Sequence, residues 1–264
     1  MKITQYTLES TKITDCIKIA CISDLHGRNP DKTISALKKM NPDLILLAGD
    51  IFEVANKYME KRNKNSLNFI REIKDIAPIY YCFGNHEIYY SHARKRINSI
   101  PHESLRKKFM DDIQKYNIHL VNDSFEGFIF GKNTLQIGGI MCGFDTDPEI
   151  NICEPDLSVV DLLDSQSGFK ILICHYPHYY QKYLKNTDID LIVSGHAHGG
   201  QWRIFGRGVY APHQGLFPKF TSGIHDGRHI INCGAVNNSK PIPRFFNPPE
   251  IVEIILNPQI GKMH

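Results

Sequence analysis

Asp24-Leu25-His26, Gly49-Asp50, Gly84-Asn85-His86-Glu87, His175 and Gly195-His196-Ala197-His198 put carboxylate, amide and imidazole groups at five points along a 264-residue chain. Oxygen and imidazole donors without thiolates suit manganese, iron or zinc ions, and the donor types do not separate these metals. In an extended segment residues i and i+2 point the same way, so Asp24 and His26 can reach one ion while Leu25 turns inward. Taken singly, Asp-x-His, Gly-Asp and Asn-His are also what ordinary turns contain. The paired histidines His196 and His198 are the sharpest cluster, because their flanking glycines permit close backbone approach and packing gives no reason for them. All five clusters follow apolar runs, and that joint pattern reads as a metal site, with two ions the expectation.

The elements that must carry these groups are short β-branched runs at 17–23, 43–48, 78–83, 169–174 and 189–194, each ending at a cluster. Helical spacing over 31–40 and 66–75 separates the first three, which makes βαβ units with parallel strands and right-handed crossovers. Ligands then fall at strand carboxyl ends, where open α/β sheets place their chemistry. Residues 88–117, with Tyr89, Tyr90, His92, Arg94, Lys95, Arg96, Arg106, Lys107 and Lys108, read as a basic and aromatic cap containing a helix over 103–116. Strands at 118–121, 126–130 and 134–142 are expected to be antiparallel and hairpin-linked, with Gly138-Gly139 marking a close backbone approach. A helix near 156–164 and strands at 229–233 and 250–256 complete the reading. The expected fold is α/β, a two-layered mixed β-sheet sandwich flanked by helices, in one domain over 1–264.

With 31 basic against 28 acidic residues and a net charge of +3, no broad polyanion-binding face is implied and no specific nucleic-acid binding is expected. The seven cysteines, at 16, 21, 82, 142, 153, 174 and 233, show no paired short spacing, so they are expected to be reduced thiols of a cytoplasmic protein. No apolar run approaches the roughly 18 residues of a membrane span, and no apolar signal region opens the chain. Peripheral membrane association stays open.

The series Asp-x-His, Gly-Asp, Gly-Asn-His-Glu, His and Gly-His-x-His resembles the calcineurin-like metallophosphoesterase superfamily from about Ile19 to Gly200. Gly199-Gly200-Gln201-Trp202-Arg203 and the run from Pro241 to Glu250 resemble its bacterial branch typified by YkuE and YaeI. The resemblance implies one ion on Asp24, His26 and His198, a second on Asn85, His175 and His196, and Asp50 bridging them. It also implies a metal-bridging hydroxide as nucleophile and His86, unligated, as the acid that protonates the leaving oxygen. Asp24 or Glu87 is the expected partner that orients His86. Arg28 and Arg203 are candidates for phosphate contact, because a guanidinium is a planar bidentate donor.

The implied reaction is hydrolysis of a phosphodiester or pyrophosphate bond in a phosphorylated small molecule or lipid headgroup. A UDP-diacylglucosamine-type lipid pyrophosphatase is the alternative within the enzyme class. A serine/threonine protein phosphatase is disfavoured, since Asp50 leads into Ile51-Phe52-Glu53-Val54 rather than Asp-Arg-Gly. The rival from another class is a catalytically inactive metal-binding regulatory module, against which the unligated His86 argues.

Overall fold

Short apolar runs buried along nearly their whole length build two packed sheets. The computed structural model describes residues 1–53, 59–88, 101–116, 118–142, 154–236 and 243–259. In chain order the strands are β1 (Lys2–Ser10), β2 (Ile17–Ile22), β3 (Leu44–Ala48), β4 (Ile79–Cys82), β5 (His119–Leu120), β6 (Ser124–Phe130), β7 (Asn133–Ile140), β8 (Phe169–Cys174) and β9 (Leu191–Ser194). Two small hairpins follow, β10 (Arg203–Ile204) with β11 (Arg207–Gly208) and β12 (Tyr210–Ala211) with β13 (Gly215–Leu216). The chain returns through β14 (Gly223–His225), β15 (His229–Ile231) and β16 (Glu250–Pro258). The helices are α1 (Asp31–Met40), α2 (Met59–Ile73), α3 (Asn85–Ile88), α4 (Pro101–Gln114) and α5 (Ser158–Asp164).

One sheet has the order β1-β16-β2-β3-β4-β5 and the other β14-β15-β9-β8-β7-β6. In the first, β2, β3, β4 and β5 run parallel, while β16 lies antiparallel to β2. In the second, β7, β8, β9 and β15 run parallel, and β6 and β14 are antiparallel edges. Both are mixed sheets, as expected.

The period of two along each strand sorts side chains between two cores. Ile17, Ile19, Cys21, Leu44, Leu46, Tyr80, Leu135, Ile137, Ile171 and Val193 fill the space between the sheets. Ala20, Ile22, Ile45, Leu47 and Tyr81 face the other way, into a core shared with Leu37 of α1, Phe69 and Ile73 of α2 and Phe109 of α4. The sandwich flanked by helices is therefore the observed architecture. Among the described residues no helix is long and apolar enough to cross a membrane, and Cys16, Cys21, Cys82, Cys142, Cys174 and Cys233 are free.

Three details differ from the sequence reading. Strand β5 does not join a hairpin with β6; it pairs parallel to β4 in the first sheet. The chain crosses to the second sheet at Asp123, whose φ is 45° and whose carboxylate accepts the Met141 N–H at 2.8 Å. Strand β1 went unanticipated because only alternate residues are partly buried, yet it pairs with β16 over nine residues. Helix α2 begins at Met59 rather than 66. Of the expected cap, residues 89–100 and 117 lie outside the described residues, and α4 is the helix expected near 103–116.

Gly138-Gly139 does mark a close approach, but β7 runs through it unbroken. A Cβ on Gly139 would sit 2.5 Å from Val121 O and 2.7 Å from Cys82 Cβ, so any side chain there would wedge the two sheets apart. Gly139→Ala should cost about 1–3 kcal/mol, read as a lowered denaturant midpoint. An unchanged midpoint would show that the sheets do not meet there.

Candidate metal centre

The parallel strands decide where the ligands go. Strands β2, β3 and β4 end at Ile22, Ala48 and Cys82, just before Asp24, Asp50 and Asn85, and β8 and β9 end just before His175 and His196. The carboxyl edges of the two sheets meet at a hydrogen bond from His175 Nδ1–H to Ala48 O, 2.7 Å long. Gly49 makes the junction possible. With φ at +82°, it has no room for a Cβ, which would lie 2.5 Å from His175 Nδ1.

Past the strand ends the backbone turns sharply. Asp24, His26, Asp50, His196 and His198 all have positive φ, between 47° and 64°. Non-glycine residues occupy this region at a cost, and such strain gathers where structure enforces a side-chain direction for function.

The result is two buried clusters of ligand-type atoms, Asp24 with His26 and His198, and Asp50 with His175 and His196, each within 4.8 Å. His26 Nε2 lies 3.2 Å from His198 Nε2 and 3.8 Å from Asp24 Oδ1. His175 Nε2 lies 3.1 Å from Asp50 Oδ2, and that same oxygen is 4.0 Å from His26 Nε2. Asp50 thus stands between the clusters. Asn85 Oδ1 and His196 Nε2 are buried without hydrogen-bond partners. Buried polar atoms left unpaired are costly, and a cation held beside them would offset that cost. The donor set and its orphaned atoms fit a pair of divalent ions.

Several further residues shape the site. Glu87 is buried and accepts from the Asp50, Phe52 and Gly84 N–H groups and the Tyr81 hydroxyl, at 2.9, 2.9, 2.8 and 2.6 Å. It clamps the two ligand loops and does not orient His86. Glu53 does so instead: His86 Nδ1–H donates to Glu53 Oε1 at 2.8 Å, and Arg62 pairs with the same carboxylate at 3.2 Å. Burial pushes Glu53 upward, but the His26 and His86 imidazoles override it and keep the carboxylate ionised. Arg28 is half-buried beyond Gly27, its Nε without a hydrogen-bond partner. Arg203 is directed elsewhere, donating to Gly206 O and Cys233 Sγ. Arg244, not singled out in the sequence, places Nη2 2.9 Å from His198 Nδ1.

Residues 17–200 match the calcineurin-like phosphoesterase family. The chain belongs to that family. This calcineurin-like phosphoesterase is 29% identical over 194 residues to the Campylobacter jejuni metallophosphoesterase Cj0846, covering 70% of this chain and 45% of that protein. It is 26% identical over 269 residues to YkuE of Bacillus subtilis, covering 96% and 84% of the two chains. Against the UDP-2,3-diacylglucosamine pyrophosphatase LpxG of Chlamydia muridarum the identity is 25% over 275 residues, covering 89% and 82%. The chain thus spans less than half of Cj0846 but most of YkuE and LpxG, and it falls in the YkuE-like branch.

The buried charges make stability depend on pH in two directions. Burial disfavours the His175 imidazolium, but Asp50 overrides it and lifts the pKa to about 10. A raised pKa gives stability that is present below the ordinary imidazole value of about 6.5 and lost as pH rises through the folded value. Burial and neighbouring imidazoles instead push His196 and His198 well down, so stability falls as pH drops below about 6.5, where the unfolded chain takes up the protons. EDTA-treated protein should have its highest melting temperature near pH 6.5, and Mn²⁺ should remove the alkaline decline, because ligation replaces the His175 proton. Calorimetry across that range checks this. A melting temperature of the EDTA-treated chain that climbs steadily into alkali would contradict it.

Proposed function

We propose that this chain hydrolyses a phosphodiester or pyrophosphate bond with the help of two divalent metal ions. Asp24, His26 and His198 would hold one ion, Asn85, His175 and His196 the other, and Asp50 would be common to both. Bound there, the ions supply Lewis-acid charge for the phosphoryl oxygens and lower the pKa of water. Everything else is work for the chain's own side chains.

The observation that carries the reading is the position of His86. Its ring stands edge-on to His26 with centroids 4.5 Å apart, and Nε2 lies 3.9 Å from Asp50 Oδ2. The side chain is half-buried, so it can touch both the ligand cluster and an incoming ester. Burial opposes its charge, but Asp50 and the Glu53 carboxylate raise its pKa to about 9. An imidazolium at the mouth of the site can donate Nε2–H to a leaving oxygen while Nδ1–H stays on Glu53. A purely regulatory metal module has no use for this arrangement. Arg28 and Arg244 are the guanidinium groups proposed to hold phosphate oxygens.

The LpxG relative, named for cleavage of a lipid pyrophosphate, supports a pyrophosphate or diester over a monoester. The absence of the Asp-Arg-Gly sequence after Gly49-Asp50 sets the chain apart from protein phosphatases.

With bis-p-nitrophenyl phosphate and Mn²⁺, His86→Ala should lower kcat about 100- to 10,000-fold and leave the bound metal unchanged. Equal turnover by the variant would sink the acid role, and no turnover of any ester by the wild type would favour the regulatory module.

Glu53→Gln tests the positioning of that histidine. It should reduce kcat roughly 10- to 100-fold. The wild-type rate should fall with rising pH between about 6.5 and about 9, since bound cations oppose the raised pKa. In Glu53→Gln this limb should move to lower pH, because one of the charges favouring the imidazolium is gone. A limb that stays in place would remove Glu53 from the mechanism.

A further inference from the structure

Beside the metal-ligand loops lies a surface that the proposed reaction does not use. Of thirteen large apolar side chains exposed among the described residues, eight fall between Trp202 and Phe217 or at Phe245 and Phe246. They are brought together by backbone bonds: Arg203 N–H donates to Phe245 O at 3.0 Å, and Phe217 and Trp202 both bond to Val209, at 2.8 and 2.9 Å. The group adjoins the site, because Asn247 Nδ2 donates to His198 O at 2.7 Å.

Two independent features mark this surface as built for a partner. Phe205, Phe217 and Phe246 sit at the tips, 102%, 70% and 89% exposed, each with φ between 49° and 53°. A left-handed backbone is uncommon for a bulky residue and costs free energy, yet here it holds three aromatic rings out into solvent. The charge is one-sided. Between Leu191 and Pro249 the chain has a single carboxylate, Asp226, against six arginines and lysines. Asp226 is occupied by the Tyr180 hydroxyl at 2.9 Å, whereas Arg207 and Lys219 are exposed beside the tips.

Exposed apolar patches of this kind are interaction sites. A protein partner would need three separate pockets for the three tips; a fluid bilayer needs none, and its anionic headgroups match the basic residues. We propose that the tips carrying Phe205, Phe217 and Phe246, with Arg207 and Lys219 beside them, insert into an anionic lipid surface, and that the bond cut at the adjoining site is carried by a membrane lipid. The first half stands on the surface alone, and the second rests on the phosphoesterase reading.

Cosedimentation of the full chain with phosphatidylcholine vesicles, with and without phosphatidylglycerol, tests the docking. Binding should require phosphatidylglycerol and weaken with salt. The triple variant Phe205→Ser, Phe217→Ser, Phe246→Ser should lose at least about tenfold in vesicle partitioning while hydrolysing bis-p-nitrophenyl phosphate at the wild-type rate. A chain that stays in the supernatant with every vesicle, or a triple variant that binds as well as the wild type, overturns the proposal. A dimer that the triple variant abolishes, without vesicle binding, assigns the surface to a second copy and overturns it too. Vesicle binding by a chain that cuts no ester leaves the docking standing and rejects only the lipid substrate.

Discussion

Two carboxylates buried together at the meeting edge of two sheets are the constraint on which the rest of the molecule depends. Asp24 and Asp50 are both almost wholly inaccessible, and one imidazole nitrogen, His26 Nε2, is within about 4 Å of an oxygen from each. Such charges are tolerated in a protein interior only when paired and hydrogen-bonded. The chain responds with every donor it can bring: the Ser23 hydroxyl and His196 N–H on Asp24, and the His86 N–H on Asp50. Burial still pushes Asp24 upward. On Asp50 burial acts in the same direction, but His175 reverses it and keeps that carboxylate ionised. A cation bound there would relieve this balance, since its charge would face both acids and the unpaired His196 nitrogen.

The two neighbouring acids divide the remaining labour by geometry. Glu87 turns inward and spends its lone pairs on backbone N–H groups and a tyrosine, so it fixes loops. Burial raises its pKa to about 7, and the Tyr81 hydroxyl it holds is pushed well up in turn, by burial and the carboxylate's charge. Glu53 faces the mouth and meets two imidazoles and Arg62. Burial alone would favour its neutral form, yet the surrounding donors hold it charged. Only the second bonds to His86.

The strand-end clusters were legible in sequence because each couples an apolar, β-branched run to a ligand side chain within two or three residues. Periodicity locates the run and local chemistry the ligand. Glu53 and Arg244 were not legible for the opposite reason. Glu53 lies beyond Asp50 in the loop after β3 and reaches His86 across 33 residues, and Arg244 reaches His198 across 46. Their roles come from folding, not spacing. The same limit explains β5: two residues beside a hairpin carry no pattern that says which sheet will take them. Strand β1 goes unread because an edge strand with one face in water offers a weak period of two and few apolar residues.

The glycine-rich loop after β9 links the buried centre to the surface. Gly199 and Gly200 have φ of 62° and 80°, and a Cβ on Gly200 would fall 2.3 Å from Gly208 Cα. That contact folds the β10–β11 hairpin, with Phe205 at its turn, back against the loop bearing His196 and His198. Tips that dock on a lipid surface as proposed would bring the His196 and His198 loop close to that surface. Apolar rim and charged floor are therefore parts of one loop system, and a substrate that spans a bilayer surface and a phosphate would meet both at once.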